Sequence, residues 1–194
     1  MILSDIDLRQ CLDDKLIIID PIPADIQIDT TSVDLRIGEP FYIWNPELVK
    51  QSGVDVAIRT DDFEFQRLAQ NYLREVPKDS EGNYGIQPGT FYLAGTYEKV
   101  GIPTTSKLAA RVEGKSGLAR LGLVVHMTAP TIQAGYGEQI AGVITLEIFN
   151  YGPFEIKVTP KESPICQLII ECVKSEPSPR GENRTFTTQE DPMG

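Results

Sequence analysis

Histidine is nearly absent from this 194-residue chain, which has one, His126. Cysteine is scarce as well: Cys11, Cys166 and Cys172 form no C-x-x-C pair. Zinc is held mainly by thiolates and imidazoles, so these counts exclude a His/Cys zinc site. An odd, scattered cysteine set builds no disulfide framework either. No apolar run approaches the roughly 18 residues that a membrane span needs, so no membrane partner is expected. The opening MILSDIDLRQCLDD is acidic and amphipathic, without the basic-then-apolar order of a signal peptide, and the expected compartment is the cytoplasm. Positive charge is also short, with 18 Lys and Arg against 28 Asp and Glu and a net charge of −10. That deficit excludes a generic nucleic-acid binder, which needs a basic face. It leaves room for one anionic ligand, because a few local cations and backbone amides suffice.

What is present reads as a mainly β chain. Ser4 with Asp7 predicts a helix start in the manner of a capping box, followed by Leu8, Cys11 and Leu12 at helical spacing. Leu16 to Asp20 is a β-branched run ended by Pro21 and Pro23, and SVDLRI (32–37) alternates as a half-buried strand does. One helix is expected from a Thr60 cap onward, with Phe65, Leu68, Ala69, Tyr72 and Val76 on one face. After the turn-rich PKDSEGNYGIQPG come short strands: FYLAGTYEKV, KLAARVEG, GLVVHMTA, AGVITLEIFN, FEIKVTP and ICQLIIECV. Strands without intervening helices predict a sandwich or barrel. Beyond Val173 the chain turns polar and aperiodic. Residues 1–173 are therefore read as one domain, and 174–194 as a flexible tail or a lid ordered by ligand.

Two segments carry candidate chemistry. In RVEGKSGLARLGL (111–123), Gly114 and Gly117 bracket Lys115 and Ser116, with Arg120 four residues after the serine. Glycines let amides converge on an anion while the hydroxyl and cations donate. The same run also reads as an ordinary polar turn. It is not a Walker loop, since Ala109 occupies the position of that motif's first glycine. In GVITLEIFN (142–150), Glu147 sits within an apolar strand on the face of Val143 and Thr145. Such a carboxylate either faces water or is a half-buried base with a tuned pKa.

In the order SVDLRIG, EGKSGLARLGL, VHMTAPTI and ITLEIFN, the chain resembles the dCTP deaminases, relatives of the trimeric dUTPases, over about residues 1–175. The resemblance implies a distorted β-barrel or jelly-roll of the dUTPase-like type with a few short helices. It also implies a homotrimer with sites at subunit boundaries, and zinc-free conversion of dCTP to dUTP and ammonia. Mg²⁺ would come with the substrate triphosphate. Glu147 matches the catalytic carboxylate, and Ser116 and Arg120 match the pair that positions water and base. Lys115 stands where arginine is usual and Gly117 where serine is usual, both facing phosphates. Thr128 and Ala129 would lie along the base, and Tyr136 against the deoxyribose. Phe186, Gln189 and Pro192 match the lid, with Arg184 as a further phosphate partner. Gln133 replaces an aspartate that contacts the sugar hydroxyl, and about four extra residues lengthen the loop that follows, GEQIAG. These departures keep two alternatives open: a dUTP pyrophosphatase, alone or combined with deamination, and a nucleotide-binding relative without turnover. Asp34 is expected to pair structurally, His126 to serve as a core or interface residue, and Phe41, Tyr42 and Trp44 to pack.

Overall fold

The computed structural model describes residues 1–52, 57–178 and 191–193. Its elements run α1 (Asp5–Asp13), β1 (Ile18–Asp20), β2 (Ile28–Asp29), β3 (Ser32–Arg36), β4 (Tyr42–Trp44), α2 (Pro46–Gln51), α3 (Phe65–Tyr72), β5 (Leu73–Glu75), β6 (Tyr84–Ile86) and β7 (Phe91–Gly101). They continue with β8 (Leu108–Gly114), α4 (Ser116–Arg120), β9 (Leu123–Val124), β10 (Thr131–Ile132), β11 (Gly142–Asn150), β12 (Ile156–Val158) and β13 (Pro164–Cys172). One sheet is ordered β5-β4-β7-β11-β9 with β1 also on β7; a second is β10-β8-β13-β3-β2; β12 and β6 form a separate pair. The mainly β expectation is met, and these sheets stay open instead of closing into a barrel.

The core lies where alternating side chains of the sheets meet. Val33 and Leu35 of β3, Ala110 and Val112 of β8, and Leu168 and Ile170 of β13 share it with Ile144, Leu146 and Ile148 of β11. Phe41 stacks on Tyr84 with ring centroids 4.2 Å apart. Tyr42 packs in a second cluster with Ala69, Leu73 and Leu93, against which Trp44 rests. Strand β7 breaks register against β11 between Val143 and Thr145. There the Thr96 hydroxyl accepts from the Ile144 N–H at 3.0 Å and donates to the Glu98 carbonyl at 2.7 Å. The fully buried Glu98 carboxylate accepts from the Arg36 Nε–H at 2.6 Å, the Arg36 amide at 2.8 Å and Gln27 Nε2 at 3.0 Å. A buried carboxylate is tolerated only when its lone pairs are met in this way.

The capping box is present: the Ser4 hydroxyl accepts from the Asp7 N–H, and Asp7 Oδ2 accepts from the Ser4 amide at 3.2 Å. The long helix expected from Thr60 to Val76 is shorter than predicted. Residues 59–62 form a turn in which Arg59 pairs with Asp61, and the helix starts at Phe65. It stops at Tyr72 because Leu73–Glu75 pair with β4 and the Val76 N–H bonds to the Phe41 carbonyl. Cross-strand pairing outweighs the helical period there.

Candidate functional site

Strand β11 sends Ile144, Leu146 and Ile148 into the core, so strict alternation turns Thr145, Glu147 and Phe149 to the other face. Glu147 is half-buried on that face. Burial pushes its carboxyl above the ordinary range, while the Met127 amide, its own amide and His126 pull it back. Arg120 does not figure among those influences. The segment after β9 is therefore the wall next to Glu147, and the predicted base-facing residues Thr128 and Ala129 follow it, both exposed.

Ser116 opens α4, which follows β8 directly. The side chains of Ser116 and Arg120 are exposed and have no hydrogen-bond partner among the described residues. Gly117 has open space where a Cβ would stand. The helix ends at Gly122, whose φ of +93° suits glycine. Gly122 packs face to face with Gly152: a Cβ on Gly122 would lie 2.4 Å from the Gly152 nitrogen, and one on Gly152 1.8 Å from the Leu121 carbonyl oxygen. That contact and the pairing of β9 with Phe149 and Asn150 fix α4 beside the end of β11. The structure thus joins Glu147 directly to residues 126–127, and joins the Ser116–Arg120 helix to the same strand through its backbone.

Lys115 is half-buried and paired. Its ammonium donates to Asp34 Oδ2 at 2.6 Å, and Gln167 Nε2 donates to Asp34 Oδ1 at 3.4 Å. Asp34, Gln167 and Glu113 lie in one cross-strand row over β3, β13 and β8, so the expected structural pairing of Asp34 is found. Tyr136 is buried, and its hydroxyl donates to the Val143 carbonyl. Gln133 is exposed on the turn before it. The lengthened loop folds back onto residues 101–104: Ile102 N–H bonds to the Tyr136 carbonyl, Gly135 N–H to the Ile102 carbonyl, and Glu138 accepts from Thr104. Arg184, Phe186 and Gln189 lie outside the described residues, whereas Pro192 is described and buried.

Three neighbours of this region were not foreseen in these roles. His126 is a Glu147 neighbour, and its Nε2 is 3.9 Å from Glu113 Oε2. Its Nδ1 is buried without a hydrogen-bond partner among the described residues. The Met127 amide carries no side-chain signal. Glu113, two residues before Lys115, carried no signal of its own in the sequence.

The profile of the dCTP deaminase-like family matches residues 2–173. The chain is 36% identical over 174 residues to a dUMP-forming dCTP deaminase of Methanosphaera stadtmanae, covering 90% of this chain and 80% of that protein. It is 37% identical over 182 residues to a dCTP deaminase of Rhodospirillum rubrum, covering 92% and 86%. Among solved structures, the 2'-deoxycytidine 5'-triphosphate deaminase from Agrobacterium tumefaciens superposes with a TM-score of 0.63 at 22% identity. That match covers 88% of this chain and 48% of the other, and it shows the fold.

Proposed function

The chain belongs to the dCTP deaminase-like family, and from that premise we propose that it deaminates dCTP by hydrolysis. Water adds to C4 of the cytosine, N3 takes a proton, and the exocyclic amine leaves as ammonia. Glu147 takes the first proton from water and delivers it to N3, then takes the second from the new C4 hydroxyl and passes it to the amine, which leaves as ammonia while the C4 carbonyl forms. The observation that carries this reading is a single carboxylate, half-buried on an apolar strand, with its pKa raised by burial. A base needs that shift, because one near the working pH can both accept and return a proton. Ser116 and Arg120 position the water and base and stabilise the developing charge. Lys115, with Arg184, Phe186 and Gln189 of the tail, serves the phosphates; Gln133 and Tyr136 serve the sugar.

The donor set does not fit a His/Cys zinc. His126 is the one imidazole, and of the thiols Cys11 on α1 lies near Cys172 of β13 while Cys166 is fully buried. Mg²⁺ enters with the triphosphate as part of the substrate. The exposure of Ser116, Gly117 and Arg120 on the single chain supports a site completed at a subunit boundary of a homotrimer.

A second reading concerns the product. The Methanosphaera relative is dUMP-forming, whereas the Rhodospirillum one is named for deamination alone. Gln133 lacks the anionic carboxylate that would orient the sugar or activate water at the phosphate, which favours dUTP over dUMP. The deciding assay supplies dCTP, CTP, dCMP and dUTP with Mg²⁺ and follows ammonia and pyrophosphate. Ammonia with dUTP supports the first reading, and ammonia with dUMP and pyrophosphate the second. Binding without either product would point to a nucleotide-binding relative without turnover. Glu147→Gln is expected to abolish ammonia release while dCTP binding persists; retained turnover would refute the assignment.

A further inference from the structure

The sheet face that carries Glu147 is covered on its β4 side by the chain's own residues 191–193. Tyr42, Leu93 and Glu147 stand in one cross-strand row over β4, β7 and β11, and Gly95 stands opposite Thr145 two residues along. Residues directly opposite in a sheet share a face. Three placements put residues 191–193 there. Met193 packs against the cluster of Tyr42, Ala69, Leu73 and Leu93. Pro192 is buried, and a Cβ built on Gly95 would lie 3.4 Å from its Cγ, in ordinary contact, so a side chain longer than a methyl at Gly95 would compete for its seat. Asp191 is near enough to Tyr42 to add to the effect of burial in raising that phenol's pKa. A turn closed by the Met193 N–H to Asp191 Oδ1 at 2.7 Å shapes the segment.

We propose that residues 191–193 are a built-in plug that seals the Tyr42–Leu93 cluster in the absence of nucleotide and walls one flank of the Glu147 site. The driving force is apolar: Pro192 and Met193 leave water against a patch that would otherwise lie open. The contacts of these three residues are apolar, so the docking itself calls on no phosphate. The titratable groups around the row are Glu75 and Tyr42, then Asp191, with His126 and Glu113 on the far side of Glu147. The second half of the proposal, the wall, rests on the assignment of Glu147 as the base.

The test uses nucleotide-free full-length protein and two variants that act from opposite sides, Met193→Asp in the plug and Gly95→Leu in its seat. Both are expected to speed amide hydrogen exchange at Tyr42–Trp44 and Leu93, leave β3 and β13 unchanged, and lower the melting temperature by roughly 2–4 °C. Unchanged exchange at Tyr42–Trp44 in both variants would overturn the docking. In a third, uncharged variant, Met193→Ser, the acidic limb of the kcat profile for dCTP should move to lower pH, because a better hydrated Glu147 ionises more readily. An unmoved limb with altered exchange would overturn the wall alone. If Glu147→Gln proved active, the exchange measurement would still decide the docking.

Discussion

At the scale of single residues, the decisive question about Glu147 was whether burial or a nearby cation governs its ionisation. Burial governs it, with the amide of Met127 and the charge of His126 acting against it. A carboxyl whose pKa is raised by folding binds its proton more tightly in the native chain than in the unfolded one. Stability is therefore fully present below the unfolded pKa and falls as pH rises through the folded value. Glu147→Gln cannot ionise, so it should melt above the wild type at neutral pH, and the gap should close as the pH drops below the ordinary carboxylate range. Thermal melts at several pH values test this, and a constant gap would refute it. Gly117 allows a gain-of-contact test. A Cβ there meets nothing within 4 Å, so Gly117→Ser fits without movement. The hydroxyl restores the donor that the resemblance places against phosphate. A hydrogen bond to a charged group is worth about 1.5 kcal/mol, so KM for dCTP should fall about tenfold. The helix should gain roughly 0.5 kcal/mol from losing a glycine. A KM that stays constant while stability rises would move position 117 away from the phosphates.

At the scale of elements, the junction of α4 with the end of β11 is a backbone contact with no room for a methyl group. Gly152→Ala would drive a Cβ to 1.8 Å from the Leu121 carbonyl, forcing α4 away from Gly152. We expect a loss of roughly 2–4 kcal/mol in urea unfolding together with reduced kcat, since Ser116 and Arg120 ride on α4. Full stability would mean that the crossing relaxes freely. This junction also marks how far the sequence could be read. The long strands were legible because β7, β8, β11 and β13 alternate or run apolar between turn formers, and Ser4 with Asp7 announced α1. The bounds of α3 were not, since Leu73–Glu75 fit a helical period and only the pairing with β4 makes them a strand. Nor was α2, whose start is the Asn45–Pro46 pair: the Asn45 side chain accepts from Glu47 and Leu48 N–H. Glu98 gave no signal, because its burial depends on Arg36 and Gln27 arriving from elsewhere in the chain. In the site, Glu147 was visible as a carboxylate among apolar residues. The Met127 amide and the Lys115–Asp34 pair were not, since both come from tertiary approach.

At the scale of the whole molecule, one chain leaves too much of its apolar surface and its candidate site in water. Ile6 on α1 is 75% exposed, and Ile22 and Ile26 are 81% and 92% exposed. The Arg9–Asp25 ion pair, 2.5 Å long, links α1 to the segment that carries Ile26. Single exposed apolar residues are ordinary, but three exposed isoleucines on linked segments point to association. The proposed homotrimer predicts a solution mass three times the 21.5 kDa of the chain, measurable by light scattering after size exclusion. Ile26 is 92% exposed in the single chain, so Ile26→Asp should leave the melting of the isolated chain intact. If the isoleucine surface is the subunit boundary, the variant should dissociate the assembly and lose ammonia release at the same protein concentration. A wild-type monomer with full turnover would sink the shared site altogether. A variant that stays trimeric and active would move the boundary away from α1 and residues 22–26. Activity that falls in step with dissociation is the outcome that links the exposed Ser116 and Arg120 to a neighbouring subunit.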